Sequence, residues 1–530
     1  MKPIHISAWL LALSSGILQV LIFPRPNLYF LCWVALAPLI YAILRAREQD
    51  AVVLLEDVAP SYLAPGSVKQ GFVLGYVSGV VWYLGSCYWV FHVMHLYGGL
   101  HPAVAVLLLV LFSLYLALYH GIFGALLAWA ARKQTGFSRR ALVVAPFLWV
   151  TVEFARAQIS GFPWDLLGTT QVDNIPLSRI ATITGVYGVS FEIALVNAAF
   201  AAVFLVPKRR RVNMFAAVLF ATLALQAGQL VKPEPERADR KAILVQQNIP
   251  IHDDWTAESF ERTVRELHAL SIPANRNSDP GLVVWPESPA PFLLNDPSFL
   301  AGLADVAQDA NAYLVVGSIG IPEAGEERRI YNSAALVSPD GRLNARYDKV
   351  HLVPFGEYVP FQSVLSFAKA LTREAGNFRG GADRYPLRLG NTPVGTFICY
   401  ESIFPDEVRV FALRGAQVFV NISNDGWFGE TGAPEQHFRM ARMRAIENER
   451  WLLRGTNTGI TASIDPYGRV IARIPRNERG ALEAPYALLS GTTFYTEHGD
   501  WFAILCAIIS VIVLFFRVRT RAQTTLPLPV

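Results

Sequence analysis

Between Met1 and Val231 the chain strings together seven mostly apolar stretches, near 6–23, 29–45, 72–93, 104–131, 141–158, 180–206 and 212–231. An eighth, 501–516, follows much later. About 20 apolar residues let an α-helix cross the hydrocarbon core of a bilayer, where a chain must satisfy its own backbone. The pattern predicts a multi-span α-helical membrane domain of eight TM helices, with any water-soluble fold confined to the interval before the last. Charge divides the chain the same way. Residues 1–231 hold 15 Lys/Arg but only 8 of the 42 Asp/Glu, and the other 34 acids lie beyond Val231.

Two of the predicted spans carry charge. The 141–158 stretch ends on Glu153 and Arg156, and 180–206 includes Glu192. An acid in hydrocarbon is costly, so Glu192 is expected to face the bundle interior or a polar contact, whether structural or chemical in role. Loop charges set the orientation. Arg45 and Arg47 follow the second span, Arg132, Lys133, Arg139 and Arg140 the fourth, Lys208–Arg211 the sixth, and Arg517, Arg519 and Arg521 the eighth. Lys and Arg favour the cytoplasmic side, which puts both termini inside and the interval between Val231 and Trp501 outside. Lys2 precedes the first span without a small-residue cleavage site, so that span is expected to be retained. The net charge of +4 gathers beside the apolar segments and forms no basic, aromatic-interleaved tract, which excludes nucleic acid. No Gly/Pro-broken segments recur in corresponding halves, so a transporter core is not indicated. His92 and His95 have helical spacing near a membrane edge. Without a third ligand of matching spacing they read as interfacial histidines and not as metal ligands.

Past the linker Lys232-Pro233-Glu234-Pro235-Glu236, short β-rich runs alternate with amphipathic ones. Strands are predicted near Ala242–Val245, Leu282–Trp285, Tyr313–Ser318, Ala334–Val337, Val394–Ile398 and Val418–Ile422, with helical stretches Phe260–Leu270 and Glu435–Leu453 between them. Such alternation argues for an α/β domain. Asp465-Pro466-Tyr467-Gly468 reads as a hairpin turn. Three strands run directly into polar clusters: Pro286-Glu287-Ser288, Cys399-Tyr400-Glu401 and Asn424-Asp425-Gly426-Trp427. Ligands of open α/β sheets bind beyond the carboxyl ends of strands, so one rim collecting all three is a candidate site.

Of four cysteines, Cys32, Cys87 and Cys506 fall in spans, and Cys399 stands alone in the outside domain. An unpaired thiol there is either buried and inert or reactive. A thiol nucleophile needs a base, positive charge or N–H donors for the oxyanion, and groups holding both in register. No suitable His stands near it, which argues against a papain-like pair. A desolvated carboxylate could serve as the base and an ammonium could bind the oxyanion. Glu287 and Lys349 are candidates for these roles, although spacing alone does not select them from ordinary surface charges.

The motifs narrow the choice. Trp285-Pro286-Glu287, the block Tyr347-Asp348-Lys349-Val350-His351-Leu352-Val353-Pro354-Phe355-Gly356-Glu357, and Cys399-Tyr400-Glu401 resemble the Glu, Lys and Cys motifs of the nitrilase superfamily. With the eight-span pattern and Gly161-Phe162-Pro163-Trp164, the chain is similar over nearly its whole length to the apolipoprotein N-acyltransferase family, which completes bacterial lipoprotein maturation. The resemblance implies an αββα sandwich over about 240–490, in the periplasm, on a multi-pass protein of the bacterial inner membrane. It implies a two-step reaction in which Cys399 takes an acyl chain from the sn-1 ester of a phospholipid and passes it to a diacylglyceryl apolipoprotein. Glu287 would be the general base, Lys349 and the Tyr400 N–H would hold the oxyanion, and Glu357 would orient Lys349. Tyr400 and Glu401 would support the nucleophile loop. Trp255 matches a family position near the substrate. Trp427 and Phe428, just past a strand end, are candidates for the acyl groove or for plain core packing. No metal or organic cofactor is implied, and a monomer is the simplest state.

The run Phe355–Phe378 places Phe361, Val364, Leu365, Ala368 and Leu371 on one helical face, suiting either an interfacial lid or a core-packing helix. Two other readings remain. A membrane-anchored nitrilase-like amidase would use the same three residues with water as the second nucleophile. A non-catalytic membrane protein or transporter with a degenerate domain would have lost one of them, and all three are present.

Overall fold

The computed structural model describes residues 3–49, 53–54, 57–58, 62–131, 139–234, 236–251, 255–272, 281–287, 291–321, 330–358 and 378–523. It divides into two compact units. One comprises Met1–Tyr88, Val106–Val231 and Asp500–Val530, the other Trp89–Ala105 and Lys232–Gly499.

The first unit is helical. Among the described residues, four helices are long and apolar enough to cross a membrane: Pro102–Ala131, Arg140–Ser160, Val186–Val203 and Lys208–Leu230. Val68–Ser86 and Trp89–Tyr97, bent by 50° at their break, make a fifth if taken as one span. Ile6–Leu21, Tyr29–Leu44 and Trp501–Phe515 are apolar but shorter. The described helices thus give four or five spans of full length, not clearly the eight expected, and the reasons for the shorter ones are local. The first helix stops at Leu21, short of Pro24 and Pro26. The second stretch breaks at Leu36, two residues before Pro38, which has no N–H to give the helix. The buried Asn197 bridges that break: its Oδ1 accepts from the backbone of Leu36 and Ala37 at 2.7 and 2.9 Å, and its Nδ2 donates to the Cys32 carbonyl at 2.8 Å. In the stretch expected at 180–206, Gly185 at φ +64° delays the long helix to Val186. Glu192 is only partly buried, whereas Glu153 and Arg156 are buried.

Val68–Ser86 and Pro102–Ala131 touch backbone to backbone. A Cβ on Gly75 would lie 2.2 Å from the His120 carbonyl oxygen, and one on Gly124 would lie 2.1 Å from that of Gly71. Small residues permit such approach, which replaces the missing hydrophobic drive between helices in lipid.

The second unit stacks two six-stranded sheets. One runs in the order 480–486, 240–246, 282–284, 313–320, 331–337, 343–348, and the other 387–389, 392–398, 418–423, 452–456, 461–464, 470–474. Each contains three consecutive parallel strands: 240–246, 282–284 and 313–320 in the first, and 392–398, 418–423 and 452–456 in the second. Helices Ala257–Ser271 and Pro297–Ala310 cover the first sheet. Pro405–Leu413 and Ala433–Asn448 lie with the second, and strands 240–246 and 452–456 meet across the middle. This is the αββα layering. All six strands expected from the sequence are present, as is the Asp465–Gly468 hairpin, where Gly468 takes φ +74°. The helix expected over Glu435–Leu453 ends at Asn448, capped by Glu449 at φ +49°, and the remainder becomes the buried strand Leu452–Thr456. Most of the expected lid, 359–377, lies outside the described residues.

Candidate active site

Four strand ends supply the site. Glu287 follows strand Leu282–Val284, Lys349 follows Leu343–Asp348, Cys399 follows Thr392–Ile398, and Asn424 follows Val418–Ser423. The parallel pairing of 392–398 with 418–423 sets Ile398 against Ile422, so Cys399 and the Ser423–Asn424 peptide emerge side by side. The Ser423 hydroxyl is within hydrogen-bond reach of the Cys399 thiol.

Lys349 is 1% exposed, with two carboxylates as neighbours. Its Nζ stands 3.0 Å from Glu357 and 3.5 Å from Glu287. A buried ammonium is tolerable only when paired and hydrogen-bonded, and here the pairing is shared. Asn332 completes the cluster by donating from one amide nitrogen to Glu287 Oε1 at 2.8 Å and to Glu357 Oε1 at 2.7 Å. The other Glu287 oxygen accepts from the Asn424 N–H at 2.8 Å, and the other Glu357 oxygen accepts from the Val353 N–H at 2.7 Å. Burial works to lower the Lys349 pKa, but Glu357, Glu287 and Cys399 outweigh it and hold the ammonium above its usual range.

Cys399 sits at φ +48°, a left-handed conformation that costs energy for a residue with a Cβ and that turns the chain sharply at the strand end. It opens the short turn Cys399–Ile403, which Glu401 clamps. Glu401 Oε2 accepts from the Ile398 N–H at 2.8 Å. Its Oε1 accepts from the Tyr347 hydroxyl at 2.7 Å and from the N–H groups of Val350 and His351 at 2.8 and 3.2 Å. One carboxylate therefore fastens the turn carrying Cys399 to the segment carrying Lys349. Burial raises the Glu401 pKa, opposed by these donors. The Tyr400 ring packs edge-on against the stacked rings of His351 and Phe404. Burial also pushes the Cys399 thiol well above its ordinary range; Glu287 adds to the effect and Lys349 works against it. The resting group is a thiol, so attack requires a base at the moment of reaction.

Glu287, Lys349 and Glu357 are thus in one hydrogen-bonded cluster, with Cys399, Tyr400 and Glu401 on the adjoining turn. The two tryptophans stand differently. Trp255 packs against the apolar cluster that contains Trp285, Phe292 and Phe299. Trp427 is 39% exposed, with its ring 5.8 Å from that of Tyr97. Asn332 carried no sequence signal, since a lone Asn in a strand looks like any other; the Asn424 cluster was legible at the rim, but nothing marked its backbone N–H as the partner of Glu287. Behind the turn, His437 Nε2 lies 3.1 Å from the Cys399 carbonyl and 2.8 Å from the Ser402 hydroxyl, and Nδ1 lies 2.9 Å from Asp425. Among the described residues no group of three or more His, Cys, Asp or Glu is placed to hold a metal.

Residues 241–489 match the carbon-nitrogen hydrolase family, and residues 15–199 match the apolipoprotein N-acyltransferase N-terminal domain. The chain is 37% identical to the apolipoprotein N-acyltransferase of Geobacter metallireducens over 524 residues, 97% of this chain and 96% of that protein. With the apolipoprotein N-acyltransferase of Methylococcus capsulatus it shares 35% identity over 526 residues, 98% and 97% of the two chains. Among solved structures, an amidase from Nesterenkonia sp. is 21% identical with a TM-score of 0.36, covering 51% of this chain and 100% of that one.

Proposed function

The chain belongs to the apolipoprotein N-acyltransferase family, and from that premise we propose that it carries an acyl chain from a membrane phospholipid, through a thioester on Cys399, to the N-terminal amine of an S-diacylglyceryl-cysteine apolipoprotein. The observation that supports this most is the buried Glu287–Lys349–Glu357 cluster beside a thiol on a strained turn.

In the first half-reaction Glu287 takes the thiol proton as Sγ attacks the sn-1 ester carbonyl. The displaced electron pair goes to the carbonyl oxygen, which Lys349 and the Tyr400 N–H stabilise. The intermediate collapses by breaking the carbon–oxygen bond to glycerol, and Glu287 returns the proton to the departing lysophospholipid oxygen. In the second half-reaction the acceptor amine attacks the thioester and gives a proton to Glu287. The carbon–sulfur bond then breaks, and Sγ recovers that proton. Glu357 keeps Lys349 aimed, and Glu401 keeps the turn in register. Amide formation from a thioester is downhill, so no ATP-binding loop is needed. Trp255 and Trp427 would act further out along the substrate path. The working orientation has both termini in the cytoplasm and the catalytic unit in the periplasm.

The test is to incubate purified full-length protein with phospholipid labelled in the sn-1 chain, then examine the Cys399 peptide by mass spectrometry. The expected result is a hydroxylamine-labile acyl adduct, absent in Cys399→Ser, that a diacylglyceryl-cysteine peptide discharges as an amide. An equal adduct in Cys399→Ser would end this reading. Discharge to free fatty acid alone would favour the amidase-like hydrolase.

A further inference from the structure

Behind the nucleophile turn lies a buried polar network that the steps above do not use. His437 on helix Ala433–Asn448, Arg454 on strand Leu452–Thr456 and Asp425 are all buried. Asp425 Oδ2 accepts from Arg454 Nη2 at 2.9 Å, and its Oδ1 accepts from the Ser423 hydroxyl at 2.8 Å. Burial works to raise the Asp425 pKa, but Arg454 and His437 outweigh it and hold the carboxylate below its usual range. The imidazole stands between this ion pair and the turn. Its Nδ1 is 2.9 Å from Asp425 Oδ1 and 3.1 Å from Arg454 Nη2. Its Nε2 is 2.8 Å from the Ser402 hydroxyl and 3.1 Å from the Cys399 carbonyl oxygen.

Ser402, His437 and Asp425 thus have the spacing of a Ser-His-Asp triad. Ser402 is 0% exposed, and a hydroxyl so placed offers a substrate carbonyl no approach, so the constellation does not serve attack by serine. The contact with Cys399 is the informative one. A carbonyl oxygen only accepts, so it is bonded when the proton stands on Nε2, and the Ser402 hydroxyl can accept from the same N–H. Nδ1 has a partner in either state: it donates to Asp425 when protonated and accepts from Arg454 when not. Nε2 therefore keeps its proton whether the ring is charged or neutral. Burial and Arg454 favour the neutral ring, against the pull of Asp425.

We propose, on the reading of Cys399 as the residue that forms an acyl-enzyme, that His437 is a positioning residue of the oxyanion site: by holding the Cys399 carbonyl it aims the Tyr400 N–H. The two groups are opposite ends of one peptide plane. In a trans peptide they point to opposite sides, so fixing the carbonyl toward His437 turns the N–H the other way. Cys399 sits at φ +48°, a conformation that persists only where its surroundings over-determine it, and the bond to its carbonyl is one such constraint. Glu401 holds the Ile398 N–H upstream of Cys399, and His437 holds the carbonyl downstream. Donation to a carbonyl also polarises its peptide, which strengthens the N–H as a donor.

The test compares two reactions of Cys399 in the full-length protein. Acylation by a p-nitrophenyl fatty ester passes through an oxyanion, and alkylation by iodoacetamide does not. His437→Leu is expected to slow acylation by about 10- to 100-fold, less than deleting an oxyanion donor outright, and to leave the alkylation rate unchanged. A parallel fall in both reactions would make His437 a plain structural support and overturns the proposal, as does unchanged acylation. His437→Gln and His437→Asn give a second reading, which decides the matter even where the Leu variant does not fold. The Gln amide reaches the position of Nε2 and the Asn amide only that of Nδ1, so the Gln variant should acylate about 10-fold faster than the Asn variant. Equal rates overturn the proposal. Labelling of Ser402 by a fluorophosphonate would make it the nucleophile of a working triad and overturns it too. A wild type acylated by the nitrophenyl ester but not by phospholipid would end the phospholipid reading while the His437 variants still decide this one; a wild type acylated by neither ends both.

Discussion

Asn332 holds two carboxylates with one amide nitrogen, and Lys349 lies between the same two groups. Removing either leaves buried charge short of a partner. Asn332→Ala is expected to lower the rate of Cys399 acylation by about 10- to 100-fold, the equivalent of about 1–3 kcal/mol for an unmet buried acceptor. Single-turnover acylation checks this, and a rate within twofold of wild type would remove Asn332 from the machinery. Lys349→Met goes further, because it leaves Glu287 and Glu357 without a cation, and breaking a buried pair costs about 3–5 kcal/mol. Thermal unfolding should show that loss alongside lost acylation. The thiol also has a signed pH dependence. Burial and Glu287 raise its pKa, so the thiolate fraction at neutral pH is smaller than for a free cysteine. Alkylation of Cys399 by iodoacetamide, followed on its own peptide, should keep rising with pH through the ordinary thiol range near 9. A plateau below pH 8 would contradict the raised value.

At the scale of elements, the contact between Val68–Ser86 and Pro102–Ala131 depends on missing side chains. Gly75→Ala would put a methyl group 2.2 Å from a helix carbonyl, where no rotamer change relieves it. The helices must separate, and a fall in melting temperature of several degrees is expected, on the order of 2–3 kcal/mol. Gly491, whose added Cβ would meet nothing within 4 Å, is the matched control, and Gly491→Ala should leave stability unchanged within about 0.5 kcal/mol. Equal effects of the two substitutions would mean the helices do not pack as described.

At the scale of the whole molecule, the proposed orientation makes the two units answer to opposite compartments. Alkaline phosphatase fused after Val231 should be active and fused after Val530 inactive, with green fluorescent protein showing the reverse. The opposite pattern would place the catalytic unit in the cytoplasm and remove the proposed acceptor from its reach.

Period-2 and period-3.6 patterning, the polar clusters at strand ends and the lone thiol outside the apolar stretches were determined by sequence alone. They suffice for an α/β unit with Glu287, Cys399 and Asn424 at one rim, because strand direction and side-chain alternation are local properties; Lys349 was singled out only by the resemblance of the 347–357 block. Apolar length was a poorer guide. It does not register a break at Leu36 that Asn197, 161 residues away, makes tolerable. Nor does it register a helix that yields to a strand after Glu449, since a short buried apolar run reads alike in either form. The link from Asn332 to Glu287 and Glu357, and that from Glu401 to Val350 and His351, were decided by tertiary structure. Each joins residues that only folding brings together, and a hydrogen bond between distant groups leaves no periodicity to read.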